Sequence, residues 1–328
     1  SVWWGLGEIF QKGLLVKGYK VVPHCPRCQT TLSSHEVAQG YQDDTEDPSV
    51  YIKFPVSGKD NTYFIVWTTT PWTLTANVAL AVKEDAVYCR IRVGTEEWIL
   101  AEARVPVVCE KLDYTLLETF SGKSLLQLEY APLYSYFQLE KKAYYVVKAD
   151  FVGLNDGTGI VHIAPSFGMD DMEVGLQNDL PVLLTVNIDG TFCEMVTPYQ
   201  GIFVKDADRS IIKDLKNRHL LVKAGTIRHT YPFCWRCQSP LLYMAKDSWF
   251  IKVSSIREQL LAENEQITWL PSHIKKGRFG EWLKDAKDWA ISRERYWGTP
   301  LPLWECDQCS HVMAIAGREE LKRHLTAG

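Results

Sequence analysis

No run of apolar residues in this 328-residue chain approaches the roughly 20 that a membrane-crossing helix needs. No secretory leader pattern is visible either. Charge of one sign is not in excess: 36 Lys and Arg stand against 40 Asp and Glu, a net charge of -4. That excludes a histone-like or tail-like polycation and still allows a local basic patch that meets phosphates. Internal repeats and low-complexity linkers are absent. What remains is ordinary soluble composition, 46% apolar and 23% charged, long enough for two or three domains with a sizeable core. The chain opens at Ser1 in an aromatic, helix-like segment without a start methionine, which reads as a piece cut from a longer protein.

Cysteine, by contrast, is abundant. Of nine cysteines, six fall in three Cys-x-x-Cys pairs, Cys25/Cys28, Cys234/Cys237 and Cys306/Cys309. Cys89, Cys109 and Cys193 stand alone in strand-like sequence and read as buried small hydrophobes. Without a secretion signal, paired spacing favours metal over disulfides. The first two pairs share one local grammar, a strand, a proline, then Cys-x-Arg-Cys-Gln. Two matching halves with a domain-sized insert between them look like the base of a module threaded into a loop. Independent redox motifs are the other reading, but neither pair opens a helix after a strand in a βαβ unit.

Between the knuckles the sequence is strand-rich. Alternating or β-branched runs centre on residues 50–54, 63–67, 78–82, 86–93, 98–101, 144–147 and 159–162, broken by Gly, Asp and Asn. Short helices are expected at 170–178 and 206–217. The pattern suggests a β-barrel or a curved sandwich. Outside it, helices are expected near 1–18, 256–261, 279–289 and 318–325, with a strand at 249–251.

Two stretches carry the chemistry. Residues 67–77, Trp-Thr-Thr-Thr-Pro-Trp-Thr-Leu-Thr-Ala-Asn, end a strand in clustered hydroxyls, and Pro71 stops the ladder. Such a cluster suits holding a water or a substrate hydroxyl; an isolated Thr-rich edge strand is the plain alternative. Residues 157–165, Gly-Thr-Gly-Ile-Val-His-Ile-Ala-Pro, followed by Asp170-Asp171, offer an imidazole and two carboxylates.

With Ile291-Ser292-Arg293 and Tyr296-Trp297-Gly298, these stretches resemble isoleucyl-tRNA synthetase over essentially the whole chain and in that family's order. Sister enzymes for valine and leucine usually carry Thr-Thr-Arg-Pro where Thr68-Thr69-Thr70-Pro71 stands, and the family usually has Pro at Thr75. The resemblance implies a mixed α/β, mainly β fold. A β-barrel editing domain (46–228) would be inserted between zinc-ribbon strands (1–45 and 229–250). Helices and the start of the second half of a Rossmann-type, ATP-binding catalytic domain (251–304) and a partial second zinc knuckle (305–328) would follow. The His-x-Gly-His and Lys-Met-Ser-Lys-Ser type signatures are absent, so amino-acid activation is not expected.

It also implies roles. His162 would be the wall that refuses an isoleucyl side chain. Asp171 would hold the α-ammonium, and Asp170 would cap the following helix or touch substrate. Thr68, Thr69 and Thr70 would line the ester and terminal ribose, and Trp72 and Asn77 would shape the adenosine end. The reaction implied is water attack on the ester of valyl-tRNA(Ile), with backbone N–H groups on the oxyanion. Discrimination by one methylene reaches only about 150-fold, which is why a second, editing sieve is needed; the isoleucine enzyme is the standard example. Zinc would sit on Cys25, Cys28, Cys234 and Cys237, and on Cys306 and Cys309 with ligands beyond residue 328. The expected setting is a cytoplasmic monomer that meets the tRNA acceptor end and no membrane. Lys275, Lys276, Arg278, Arg293 and Arg295 could touch phosphates or form a solvated face.

Overall fold

Alternation builds the centre of the molecule. In the strand Thr62–Thr68, Phe64, Val66 and Thr68 share one face and Ile65 takes the other. The neighbouring strand Tyr41–Pro55 pairs with it antiparallel, Val50 opposite Thr68 and Phe54 opposite Phe64. Because period-2 side chains of both strands are buried there, a one-residue slip would turn that whole apolar set outward, and the register is fixed.

The computed structural model describes residues 1–292 and 298–325. Its contacts divide the chain into two units, Val21–Ala245 and Ser1–Lys20 with Lys246–Gly328. In the first unit a six-stranded sheet runs in the order Leu221–Pro232, Tyr41–Pro55, Thr62–Thr68, Glu96–Ala101, Val87–Val93, Thr115–Ser121. A three-stranded sheet runs Ile160–Ile163, Ala79–Val82, Tyr145–Lys148. Between them lies the main core, with Val50, Ile52, Phe54, Phe64 and Val66 from one sheet and Leu80, Val82, Val146 and Ile160 from the other. The apolar stripe of the helix Val204–Asn217, formed by Val204, Ala207, Ile211 and Leu215, joins the same core. Each sheet is also covered behind. Val105 and Val108 pack on Ile65, Ile91 and Leu100, and Val174 of the helix Met169–Gln177 packs on Ala79, Val147 and Ile163.

The barrel expectation needs correcting. The six-stranded sheet ends in Leu221–Pro232 and Thr115–Ser121, which do not pair with each other, and only isolated bridges at Glu129 and Tyr130 join Tyr145 of the second sheet to Val56 beside the first, so no closed barrel forms among the described residues. The outer strand Thr115–Ser121 is exposed along most of its length, and the middle of Leu221–Pro232 is too. Two sheets packed over one core, mainly β with short helices, is what the sequence folds into.

The second unit holds the helix Val2–Gln11, the helices Arg257–Gln266, His273–Lys276 and Arg278–Lys284, a hairpin of Leu303–Glu305 and Val312–Ala314, and the helix Arg318–His324. After the helices the chain returns as Trp289–Ala290 and pairs antiparallel with Phe250 and Ile251. The helix expected through residue 289 stops at Lys284. Arg293, Arg295, Tyr296 and Trp297 of the sequence motif lie outside the described residues. Among the described residues no helix is long and apolar enough to cross a membrane.

Candidate functional site

The inner faces of the two sheets are apolar until they reach one end, where each places a polar group. On one side the column Phe64, Val66 ends in Thr68; on the other, Ile160 is followed two residues later by His162. Same-face alternation therefore makes them neighbours, and His162 Nε2 lies 3.3 Å from Thr68 Oγ1. A buried polar group costs about 1–3 kcal/mol if left unpaired, so the end of this core must be a hydrogen-bonded set.

The set is completed by a turn. Beyond Thr68 the chain enters a 3₁₀ segment, Pro71–Ala76, whose six residues are all buried. In a 3₁₀ turn residues three apart eclipse, which stacks Thr73 on Thr70. Thr73 Oγ1 donates to the Thr70 carbonyl at 2.7 Å, lies 3.1 Å from Thr70 Oγ1 and 3.1 Å from His162 Nε2. Since the Thr73 proton is engaged on a carbonyl, Thr73 accepts from the ring, and Nε2 carries the hydrogen. His162 Nδ1 is then a bare acceptor, and it is buried with no partner among the described residues. Burial pulls the imidazole down to about 4, so it is neutral at physiological pH. Thr69 is half-buried and takes no part in these bonds.

Gly157 shows why the Gly-Thr-Gly stretch is there. Its φ is +59°, and a Cβ would come within 2.8 Å of the Trp67 ring, so only glycine lets this loop press on the threonine strand and deliver 160–163 into pairing. Two residues beyond His162, the Ala164 N–H donates to Asp171 Oδ2 at 2.9 Å. Asp171 is the third residue of the helix Met169–Gln177, and its carboxylate folds back over Gly168, where a Cβ would lie 2.7 Å from its Cγ. Burial pushes this carboxyl up to about 7, against the pull of the Ala164 N–H. Thr68, His162 and Asp171 are thus joined through two bonds and the two residues that follow His162, a path of roughly 7 Å along the backbone. The helix is capped by Gly168, not by Asp170, which is exposed at the second helical position.

Trp72 and Asn77 are core residues. Trp72 is buried edge-on against Phe167, with ring centroids 4.8 Å apart. Asn77 accepts from Tyr130 at 2.6 Å and donates to the Ala79 carbonyl at 2.9 Å. Both hold the turn's two ends. Thr75 Oγ1 donates to the Trp72 carbonyl at 2.9 Å, so a threonine closes this turn with its own hydroxyl. Backbone amides here are committed too: Thr70 N–H donates to Thr68 Oγ1, Thr73 N–H to the Thr70 carbonyl and Trp72 N–H to Asp208 Oδ1. Thr73 and Asp208 were not singled out from the sequence. The Thr-x-x-Thr spacing across Pro71 is a signal for the first; an Asp in the middle of an apolar helical stripe is a signal for the second. An open cleft of about 500 Å³ lined by Leu184, Phe192, Met195 and their neighbours contains none of these groups.

The thiols form a separate centre. Sγ atoms of Cys25, Cys28, Cys234 and Cys237 lie within 4.8 Å of one another. Four bonds of about 2.3 Å to a tetrahedral ion would set sulfurs roughly 3.8 Å apart, so the donor set and spacing fit zinc. Cys25 and Cys237 at 3.4 Å are too far apart for a disulfide of about 2.05 Å. The residue after each knuckle turns left-handed, Gln29 at φ 53° and Gln238 at 58°, and Ser310 after Cys309 does the same at 54°. Cys306 and Cys309 are exposed on the second unit's hairpin, and among the described residues no third ligand joins them. His311, beside them, is exposed.

The model for class I tRNA synthetases (I, L, M and V) matches residues 1–327. The isoleucine--tRNA ligase of Picrophilus torridus is 50% identical over 324 residues, 99% of this chain and 31% of the relative. That of Thermus thermophilus is 47% identical over 331 residues, again 99% and 31%. The chain therefore spans about a third of the length of the curated relatives it matches. The solved GlLeuRS-CP1 structure aligns with 54% of this chain and 99% of its own, at 16% identity and a TM-score of 0.45, too distant a likeness to bear on any residue.

Proposed function

Since the chain belongs to the class I tRNA synthetases of the isoleucine, leucine, methionine and valine group, we propose that its Val21–Ala245 unit edits. It hydrolyses the ester of a valyl group misattached to the 3′ end of tRNA(Ile). The observation that carries this reading is the convergence of Thr68 and Thr73 on the neutral His162, with the Asp171 carboxylate anchored on the Ala164 N–H two residues further along the chain.

The division of labour follows from the chemistry. A buried, neutral imidazole held by two threonines is a rigid wall that can refuse an extra methylene sterically. Asp171 meets the α-ammonium by a charge-assisted hydrogen bond. Arrival of that cation favours the ionised carboxylate, so binding pulls down a carboxyl that burial has pushed up. Thr69, outside the His162 set, and Thr70 at its edge are the hydroxyls best able to hold the ester and a water. Attack forms the bond from water oxygen to the carbonyl carbon and breaks the bond to the ribose oxygen, which takes the proton with help from its neighbouring hydroxyl. Trp72 and Asn77 act by fixing the turn. Asp170, exposed beside Asp171, faces the solvent side and can touch the acceptor end. Cys25, Cys28, Cys234 and Cys237 would hold a closed, structural zinc that clamps the two knuckles.

A second reading, acceptor-end binding without chemistry, draws on one observation: the amides of Thr70, Trp72 and Thr73 are already committed, which leaves them no hydrogen for an oxyanion. Hydrolysis assays on valyl-, threonyl- and isoleucyl-tRNA(Ile) separate the readings. Editing predicts that valyl ester is cleaved in preference to isoleucyl, that Asp171→Asn lowers kcat/KM about 100-fold, and that wild-type kcat/KM falls as pH drops below about 7, where Asp171 takes its proton. Binding without turnover overturns the catalytic reading, and preference for threonyl ester reassigns it to a valine-type module.

A further inference from the structure

The helix Val204–Asn217 buries Val204, Ala207, Ile211 and Leu215 on one face, at helical spacing, and in the middle of that stripe it buries Asp208. Only 5% of this residue is exposed. A carboxylate among apolar residues needs a partner that could not be satisfied otherwise. The partner is the Trp72 N–H, which donates to Asp208 Oδ1 at 3.0 Å.

Pro71 explains the demand. It opens the 3₁₀ segment without an N–H, which leaves Trp72 as the segment's first backbone donor. The first donors of a helical turn have no partner within it, and Trp72 is 4% exposed, so water does not serve. No side chain of the segment caps it. A carboxylate from another helix takes that place. The same turn carries Thr70 and Thr73, whose hydroxyls meet each other and His162.

We propose that Asp208 is a positioning residue for the editing site: it fixes the start of the Pro71–Ala76 turn through Trp72 N–H and so sets the Thr70 and Thr73 hydroxyls against His162. This rests on the proposed function for its catalytic consequence, not for its structural one. Asp208 touches no reacting atom. One turn before Asp208 the same helix carries Lys205, which bridges to Asp47 at 2.7 Å, and Asp47 accepts from His229 at 2.9 Å. Lys205 also lies over the Tyr231 ring at 4.0 Å, so the helix is pinned to the Tyr41–Pro55 and Leu221–Pro232 strands one turn before it pins the threonine turn.

The test compares Asp208→Asn, which keeps an acceptor oxygen, with Asp208→Leu, which removes it at similar volume. Two readouts are taken on the 328-residue chain: amide hydrogen exchange at Trp72, and kcat and KM for valyl-tRNA hydrolysis. Misplacing reacting groups by about 1 Å costs on the order of 100-fold. D208L is therefore expected to lose about 100-fold in kcat with KM little changed, and to lose Trp72 protection while the sheets keep theirs. D208N is expected to retain both. A folded D208L with wild-type kcat or wild-type Trp72 protection overturns the proposal. If D208L does not fold, D208N decides: loss of Trp72 protection there overturns it, retention supports it. Should the wild type hydrolyse nothing, the proposed function fails, and the exchange readout still judges Asp208.

Discussion

The four-thiol knuckle and the threonine–histidine cluster solve the same problem, how to hold polar side chains inside a fold, in opposite ways. The knuckle is local. Two short loops of one backbone shape each deliver two sulfurs, and the four make a donor set that fits a metal ion. The cluster is distributed. Thr68 comes from one sheet, His162 from the other and Thr73 from a turn whose first amide is held by a distant carboxylate, and their meeting depends on register. A local site draws its stability from its ligand; a distributed one draws it from the whole core. Perturbations should therefore separate them cleanly.

The largest effect belongs to the thiols. Structural zinc in isolated finger peptides contributes roughly 10–16 kcal/mol of apparent binding free energy, which there is folding free energy. The knuckles here are backed by a larger fold, so the loss is smaller, yet Cys234→Ala or chelation should still lower stability by several kcal/mol. Metal content by mass spectrometry should fall with it. Loss of the melting transition for residues 21–40 and 229–245 ahead of the sheets would show that the effect is local. A Cys234→Ala chain with unchanged metal content and melting would remove zinc from the account.

The cluster answers to pH instead. His162 has a pKa of about 4 in the fold against 6.5 when exposed. Between those values the unfolded chain binds a proton that the folded one refuses, so stability is lost as pH falls from 6.5 toward 4. At about 1.4 kcal/mol per pH unit the total is roughly 3.5 kcal/mol. Asp171 and Asp208, each raised from 3.8 to about 7, work the other way, because there the folded state holds the extra proton and gains stability as pH falls from 7 toward 4. The stability difference between wild type and His162→Gln, from urea unfolding at several pH values, isolates the imidazole. It should shrink as pH falls from 6.5 to 4, and a flat difference would mean that the ring takes its proton in place.

The same contrast explains what could be read from the sequence. Cys-x-x-Cys grammar and the strands through 50–54, 63–67 and 159–162 were legible because each signal lies within a few adjacent residues. The strand Thr115–Ser121 was missed because it is an exposed edge with no buried face to pattern it. The 3₁₀ turn at Pro71–Ala76 carries no glycine and reads as loop. Closure of the barrel was misjudged because composition shows strands, whereas closure depends on which edges pair. Asp208 serves Trp72 across 136 residues of chain, and nothing local to either announces the bond.

The smallest effect tests the knuckle half of the comparison by removing a thiol where the backbone is alike but the ligand set is not. Cys306 and Cys309 sit on a hairpin whose turn matches the other two knuckles, with Ser310 N–H donating to the Cys306 carbonyl as Gln238 N–H does to Cys234. Yet both thiols are exposed, and among the described residues only two donors are present. Two ligands do not close a tetrahedron, so this turn must be held by its backbone: Cys306 N–H to the His311 carbonyl, and the Leu303–Glu305 and Val312–Ala314 pairing. Cys306→Ser in this chain should then change stability by no more than about 0.5 kcal/mol, the range of ordinary surface substitutions. Zinc stoichiometry should stay at one per chain, held by the four-thiol centre. A loss comparable to that of Cys234→Ala would show that shape, and not ligand count, decides which knuckle depends on a metal.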